Sequence, residues 1–192
     1  MIQDDYYVEL MEQKRIISKN RTWGSELSEK EFIKGMCLLN PQSYGSRVEN
    51  RIRDELGFDK ISARDNCGDL ISPNGDKVEV KISLLTPSND SLNMVQIRLF
   101  HDVDYYLCIA YDCRDIKNFK KYTFLLTHDQ MEEECKLNAG AAHGTGSVNS
   151  LNENVELRLG INCIDGNDLF ERWKREYLCD DYKKVIECIQ KK

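Results

Sequence analysis

The sequence has no excess of positive charge, since its 192 residues include 27 Lys and Arg against 33 Asp and Glu, a formal net charge of −6. Proteins that hold nucleic acid by themselves normally carry a basic surface, because binding to phosphates releases counterions. The charge therefore argues against a protein that grips nucleic acid unaided. With 41% hydrophobic and 31% charged residues, the composition is typical of a globular domain that buries a core of its own.

Several other signals are missing. The eight cysteines form no CxxC pair and no Cys/His cluster with zinc-finger spacing, and no apolar run is long enough to span a membrane. The first residues show neither the basic start nor the apolar run of a secretory signal. We therefore expect a cytoplasmic protein without a membrane partner, whose cysteines are free thiols that pack as small hydrophobic side chains.

Hydrophobic periodicity predicts two helices and a hairpin in the first half of the chain. Ser28 and Glu31 form a capping-box pattern for a helix over 29–39. Apolar residues spaced by four predict an amphipathic helix over 43–57 that ends at Gly57. The dipeptide Asn74-Gly75, flanked by strand-like sequence, predicts a β-hairpin.

The second half predicts alternating strands and helices. A strand over 92–100 is favoured, with Val95, Ile97 and Leu99 on its inner face, and a short helix is the alternative. The remaining predictions are strands over 105–111, 122–126 and 155–161 and helices over 127–137 and from 167 to the end. This order predicts a mixed α/β fold with a central mixed sheet flanked by helices. We expect one domain over 1–192, made of a helical extension (1–40), a core (43–165) and a C-terminal helix (167–192).

The strongest chemical signal is Gly68-Asp69 followed, after nine residues, by Glu79-Val80-Lys81. Residues two apart on a strand share a face, so Glu79 and Lys81 point together, and the hairpin folds Asp69 back beside them. Two converging carboxylates suit a hard cation such as Mg²⁺, and a neighbouring ammonium can orient an attacking water. This chemistry suits hydrolysis of a phosphodiester. The alternative is a solvated strand face, opposite a buried face formed by Val78, Val80 and Ile82.

The pattern resembles the PD-(D/E)xK nuclease superfamily, with Gly-Asp in place of Pro-Asp. The resemblance implies a restriction-endonuclease-like core, in which Asp69 and Glu79 hold the metal and Lys81 serves catalysis. It also implies a further metal-binding acid on the helix before the first strand, at Glu49, with Glu55 as the fallback. The alternative for Glu49 is a surface ion pair with Arg53 on the same helix.

Four other residues are candidate phosphate or DNA contacts. Gln96 and Arg98 would share a face if 92–100 is a strand, and a guanidinium matches phosphate oxygens. His143 lies in a run of small residues over 138–154, and Arg51 lies beside Glu49. Solvated surface positions are the alternative for each. The other two histidines, His101 and His128, are interpreted as turn and cap residues, and the acidic run from 129 to 134 as a solvated helix face.

A closer resemblance covers longer stretches, namely 47–53, 67–70, 78–85, 95–99, 122–128, 142–145 and 156–159. These stretches resemble the cleavage domains of type IIS restriction endonucleases and their nicking relatives, and we expect the chain to lack the recognition region that precedes those domains. The resemblance is nearest to small subunits of heterodimeric type IIS enzymes. It implies a double-stranded DNA substrate and a large subunit that reads the site and nicks the other strand. A stand-alone repair or structure-specific nuclease and a catalytically idle partner-binding module remain alternatives.

Overall fold

The computed structural model describes residues 12, 15, 28–37, 41–62, 65–115, 117–141, 155–164 and 166–190. These residues divide between two compact units, 1–55 and 56–192, which are described separately. Within the described ranges there are five helices and nine strands, so the fold is mixed α/β as predicted. It is consistent with a restriction-endonuclease-like core. No helix of the described residues is both long enough and apolar enough to cross a membrane.

The first unit contains two helices, α1 (Glu29–Cys37) and α2 (Pro41–Leu56). The predicted capping box starts α1, since the Ser28 N–H donates to Glu31 Oε2 at 3.0 Å and the Glu31 N–H donates to Ser28 Oγ at 3.3 Å. The prediction of α2 is also confirmed, because Gly57 follows it with a φ of +68°, the left-handed conformation of a helix C-cap. Pro41 begins α2, a position where its missing N–H costs nothing.

The second unit is built on a six-stranded mixed sheet. Its strands are β1 (Asp59–Lys60), β2 (Leu70–Ile71), β3 (Lys77–Leu85), β5 (Tyr105–Asp112), β6 (Lys120–Thr127) and β9 (Leu178–Cys179), which lie in this order across the sheet. Strands β3 and β5 run parallel, and all other neighbouring strands are antiparallel. The predicted hairpin joins β2 to β3.

A second, antiparallel sheet of three strands has the order β4-β8-β7, with bounds β4 (Ser91–Ile97), β8 (Leu157–Asn162) and β7 (Ala139–Ala141). It lies over one face of β3, because the Asn93 N–H donates to Ser83 Oγ at 2.8 Å. The two sheets enclose a buried cluster that includes Leu92, Met94 and Phe124. Helices α3 (His128–Asn138) and α4 (Asp168–Glu176) contribute Met131 and Trp173 to the same core.

The C-terminal region differs from the single helix that we predicted over 167–192. Helix α4 ends at Glu176, β9 pairs with β6, and a separate helix α5 (Tyr182–Gln190) follows. The break occurs where the Leu125 N–H of β6 donates to the Tyr177 carbonyl at 3.0 Å. Bonding to the sheet therefore replaces helix hydrogen bonds, a tertiary contact that the local sequence does not reveal.

The acidic run of α3 is also not uniformly solvated, which corrects our interpretation. Glu134 is 1% exposed. Its carboxylate accepts hydrogen bonds from Trp173 Nε1 at 3.0 Å and Tyr177 OH at 2.9 Å, and Arg172 lies 2.6 Å away. Burial and the bond to Glu134 raise the pKa of Tyr177 to about 12. Glu134 therefore joins α3 to α4 through a buried polar network.

The cysteines behave largely as expected. All eight are free thiols, and five of them are buried, namely Cys108, Cys113, Cys135, Cys163 and Cys179. Burial raises the pKa of Cys108 to about 12 and that of Cys163 to about 11, so both are neutral thiols at physiological pH.

Candidate active site

Asp69 lies against β3, at the residues that flank Glu79. Its backbone N–H donates to the Val78 carbonyl at 3.0 Å, and its Oδ2 accepts from the Val80 N–H at 2.8 Å. Gly68 permits this approach, since its φ is +94° and a Cβ there would lie 3.0 Å from the Val78 carbonyl oxygen. The structure therefore brings Asp69 beside Glu79, and the glycine that replaces proline in the resembling motif has a steric reason.

Glu79 and Lys81 form an ion pair on one face of β3. Lys81 Nζ lies 2.6 Å from Glu79 Oε1, and the two side chains are only 11% and 8% exposed. The interpretation of this face as solvated is therefore wrong. The second sheet covers it. The opposite face agrees only in part with the prediction, because Val78 and Val80 are buried but Ile82 is half-buried. Burial of a carboxylate and an ammonium is costly unless they are paired, as they are here.

The neighbouring strand β5 places Tyr106 next to Glu79 in the parallel register. Burial, followed by the charge of Glu79, raises the pKa of the Tyr106 hydroxyl, which is therefore neutral at physiological pH. The hydroxyl donates to the Arg98 carbonyl at 3.2 Å. Tyr106 thus connects β5, the parallel neighbour of the strand that carries Glu79, to the segment that follows β4.

Strand β4 does not present Gln96 and Arg98 on one face, which corrects the sequence prediction. The strand is irregular between Met94 and Ile97, where its register against β8 shifts. Gln96 has a φ of +55°, and Val95, which we expected on the inner face, is 47% exposed. The strand prediction itself is confirmed. The extra residue in the bulge changes which side chains point inward.

This region contributes one contact to the ion pair and contains one guanidinium that is fixed by another acid. The Gln96 backbone carbonyl accepts from Lys81 Nζ at 2.8 Å, so the backbone of Gln96 contacts the site. The Arg98 guanidinium is held by Glu156 Oε1, with Nη2 at 2.7 Å and Nε at 2.9 Å. Arg98 is thereby oriented by an acid from the chain just before β8, which the sequence did not indicate.

His101 belongs to the same region and was not predicted as a site residue. It forms the expected turn, because its N–H donates to the Arg98 carbonyl at 3.1 Å. Burial lowers its pKa, and the charges of Glu79, Arg98 and Lys81 also act on it. His101 is therefore a neutral imidazole at physiological pH. Only its occurrence after the predicted strand could have drawn attention to it.

Three further residues were predicted for the site from the sequence. Glu49 and Arg51 lie on α2 in the first unit, where Arg51 pairs with Glu55 at 2.7 Å and Arg53 with Asp54 at 2.6 Å. Arg51 also lies over the Phe32 ring, 4.7 Å from its centroid. His143 lies outside the described residues. The roles of these three residues stay predictions.

The donor set of Asp69 and Glu79 fits a hard cation that keeps part of its water shell. Both supply carboxylate oxygens, the ligands that Mg²⁺ prefers. Each carboxylate has about four lone-pair positions, so it can accept hydrogen bonds and bind a metal ion at the same time. Within the described ranges no group of three or more His, Cys, Asp or Glu side chains could hold a metal ion. The two carboxylates would therefore need water or phosphate oxygens to complete the shell.

Comparison with known proteins adds no identification, since no protein-family model and no curated protein matches the chain. The arrangement of Asp69, Glu79 and Lys81 must be interpreted from its geometry.

Proposed function

We propose that the chain is the cleavage subunit of a Mg²⁺-dependent type IIS restriction endonuclease, which hydrolyses a phosphodiester in one strand of double-stranded DNA. A single observation carries the proposal: Asp69 is hydrogen-bonded to both residues that flank Glu79, and Glu79 is paired with Lys81. These contacts support a role for Asp69, Glu79 and Lys81 in one site near the start of a central strand. The same residue types at the same spacing carry the resemblance to PD-(D/E)xK nucleases.

Asp69 and Glu79 would hold the metal. Mg²⁺ bound there would supply a Lewis acid that stabilises negative charge on a phosphate and favours deprotonation of a water. Lys81 Nζ has three N–H donors, and its hydrogen bonds to Glu79 and Gln96 occupy two directions. In the proposed reaction Lys81 orients the attacking water and interacts with the charge that develops on the phosphate.

Arg98 and His101 would bind the phosphate on the substrate side of the ion pair. Arg98 uses Nε and Nη2 for Glu156, which fixes the plane of the guanidinium and leaves Nη1 directed elsewhere. A neutral His101 can donate one N–H to a phosphate oxygen without adding charge.

The charge of the chain favours a dependent subunit. Even the segment 43–64, which contains the candidate residues Glu49 and Arg51, carries five basic and four acidic side chains. Unaided binding to DNA therefore receives little electrostatic support. A large subunit that binds the recognition site would supply the affinity, and the eight free thiols fit an enzyme of the cytoplasm.

Cleavage of supercoiled plasmid in the presence of Mg²⁺ tests the proposal. The reactions contain this chain alone, a candidate large subunit from the same genome alone, or both. We expect nicking by the large subunit and linear product when both are present. Sequence-specific double-strand cleavage by this chain alone would exclude the dependent subunit and favour a stand-alone nuclease.

A matched pair of variants separates catalysis from partner binding. Asp69→Asn keeps an oxygen that can accept from the Val80 N–H but removes the charge that the metal requires. It should lower second-strand cleavage by more than about 100-fold, since loss of even an outer-shell partner of a metal site costs 10–100-fold. Asp65→Asn, at an exposed residue four positions earlier, should cleave normally. Full cleavage by Asp69→Asn would show that the fold serves partner binding only.

A further inference from the structure

Gln96 has an unusual backbone conformation. Its φ of +55° is the only positive value for a non-glycine residue in the described part of the chain. The left-handed region is costly for residues with a Cβ, and such residues persist where the surrounding structure holds them in place. The side chain does not account for the conformation, because Gln96 is exposed.

The bulge that contains Gln96 gives its carbonyl a specific partner. The register between β4 and β8 shifts between Met94 and Ile97, and the extra residue turns the Gln96 peptide out of the ladder. Its carbonyl oxygen lies 2.8 Å from Lys81 Nζ. A regular strand would direct that carbonyl along the plane of its own sheet rather than toward a strand of the other sheet.

The Gln96 carbonyl and Glu79 together fix the Lys81 ammonium. Lys81 has four rotatable side-chain bonds, so one ion pair at 2.6 Å restrains its distance from Glu79 but leaves its direction open. A second acceptor on another strand defines the direction. The ammonium is then held between an acid of the site and a backbone dipole that cannot itself be protonated.

We infer that Gln96 is a positioning residue, whose left-handed backbone places a carbonyl that orients Lys81 for catalysis. The inference rests on the proposed nuclease function for its catalytic consequence, but the effect on the Lys81 ammonium is independent of that function. It assigns Gln96 a backbone role in place of the side-chain contact to phosphate that the sequence favoured.

Three variants test the backbone role. Gln96→Val introduces a β-branched residue that strongly disfavours the left-handed region, whereas Gln96→Gly accepts it readily. Val95→Thr changes the neighbouring exposed residue and serves as the control. Circular dichroism and thermal melting establish that each is folded, and Gln96→Ala, in which the same bias is weaker, replaces the valine variant if that one does not fold.

The first readout is the ¹H–¹⁵N spectrum of the lysine NH₃⁺ groups in the isolated full chain, with the Lys81 signal assigned from Lys81→Arg. We expect the Lys81 ammonium protons to exchange about two- to tenfold faster in Gln96→Val, as loss of one hydrogen bond implies. The signal should be retained in Gln96→Gly and in Val95→Thr. An unchanged Lys81 signal in Gln96→Val, or its equal loss in Gln96→Gly, would overturn the inference.

The second readout is second-strand cleavage with the large subunit, measured against Asp69→Asn. In Gln96→Val we expect kcat to fall about 10- to 100-fold with KM little changed, because misplacement of a catalytic group affects the chemical step. A higher KM with normal kcat would instead show that the Gln96 side chain binds DNA. If Asp69→Asn cleaves normally, the nuclease function fails, and the Lys81 spectrum alone then decides the positioning role.

Discussion

Replacement of Glu134 by alanine should destabilise the second unit strongly. The change removes the acceptor for two buried donors, Trp173 Nε1 and Tyr177 OH, whose residues are 0% and 8% exposed. Each buried donor left without a partner costs about 1–3 kcal/mol, so the pair costs about 2–6 kcal/mol. The Arg172 side chain is 30% exposed and can be hydrated, so its charge adds little to this cost.

Urea denaturation followed by far-UV circular dichroism measures this effect. With a loss of about 4 kcal/mol and a slope of about 2 kcal/mol per molar urea, the midpoint should fall by about 2 M. Glu134→Gln keeps one acceptor oxygen, so its urea midpoint should lie between those of the wild type and Glu134→Ala. Glu133→Ala, at the exposed neighbouring position, should change the free energy of unfolding by less than about 0.5 kcal/mol.

One result would refute the reasoning about the network. If Glu134→Ala and Glu133→Ala lower the free energy of unfolding by the same small amount, the burial of Trp173 and Tyr177 does not depend on the Glu134 carboxylate. The link between α3 and α4 would then rest on apolar packing alone.

Three further predictions concern the candidate active site. Gly68→Ala should lower the free energy of unfolding by about 1–2 kcal/mol in urea titrations, because alanine is strained at a φ of +94°. The substitution should also abolish cleavage, because it moves Asp69. A variant as stable as wild type would contradict the close approach to Val78. Burial lowers the pKa of His101, so the free energy of unfolding of the wild type should fall as the pH drops below about 6.5, the pKa of an unfolded histidine, and through the pKa in the folded state. His101→Gln should lose less stability between pH 7 and pH 5. Identical pH profiles of stability for the two proteins would contradict this prediction. Glu156→Gln removes the ion pair that holds Arg98 and should raise KM for DNA more than it lowers kcat. It should lower the free energy of unfolding by less than about 1 kcal/mol, because the ion pair is partly exposed. An unchanged KM would exclude Arg98 as a phosphate contact.

The local parts of the fold were predictable from sequence because their signals are local. The Ser28 capping box, the Gly57 cap and the Asn74-Gly75 hairpin each depend on residues within a few positions of one another, and each is confirmed. The grouping of Asp69 with Glu79 follows from the same hairpin. Alternation along β3 also indicated correctly that Glu79 and Lys81 share a face.

The parts that sequence could not predict depend on contacts between distant segments. The burial of Glu79 and Lys81 requires the second sheet, which comes from strands later in the chain. The bulge at Gln96 cannot be recognised from the sequence, because apolar and polar residues alternate regularly over 95–99. Glu134 is exposed or buried according to whether α4 packs against it, so an acidic run alone could not decide its environment.

The hydrogen bonds of the site also differ in the length of chain that each must close. The bond from Val80 to Asp69 spans 11 residues, whereas the pair of Arg98 with Glu156 spans 58. Loop-closure entropy makes the longer contact about 1.5 kcal/mol more costly to form. Asp69 and Glu79 can therefore come together early in folding, as the β2–β3 hairpin closes. The ion pair of Arg98 with Glu156 can form only after β8 has paired with β4. Local opening of the chain should therefore break the ion pair of Arg98 with Glu156 while Asp69 stays beside Glu79.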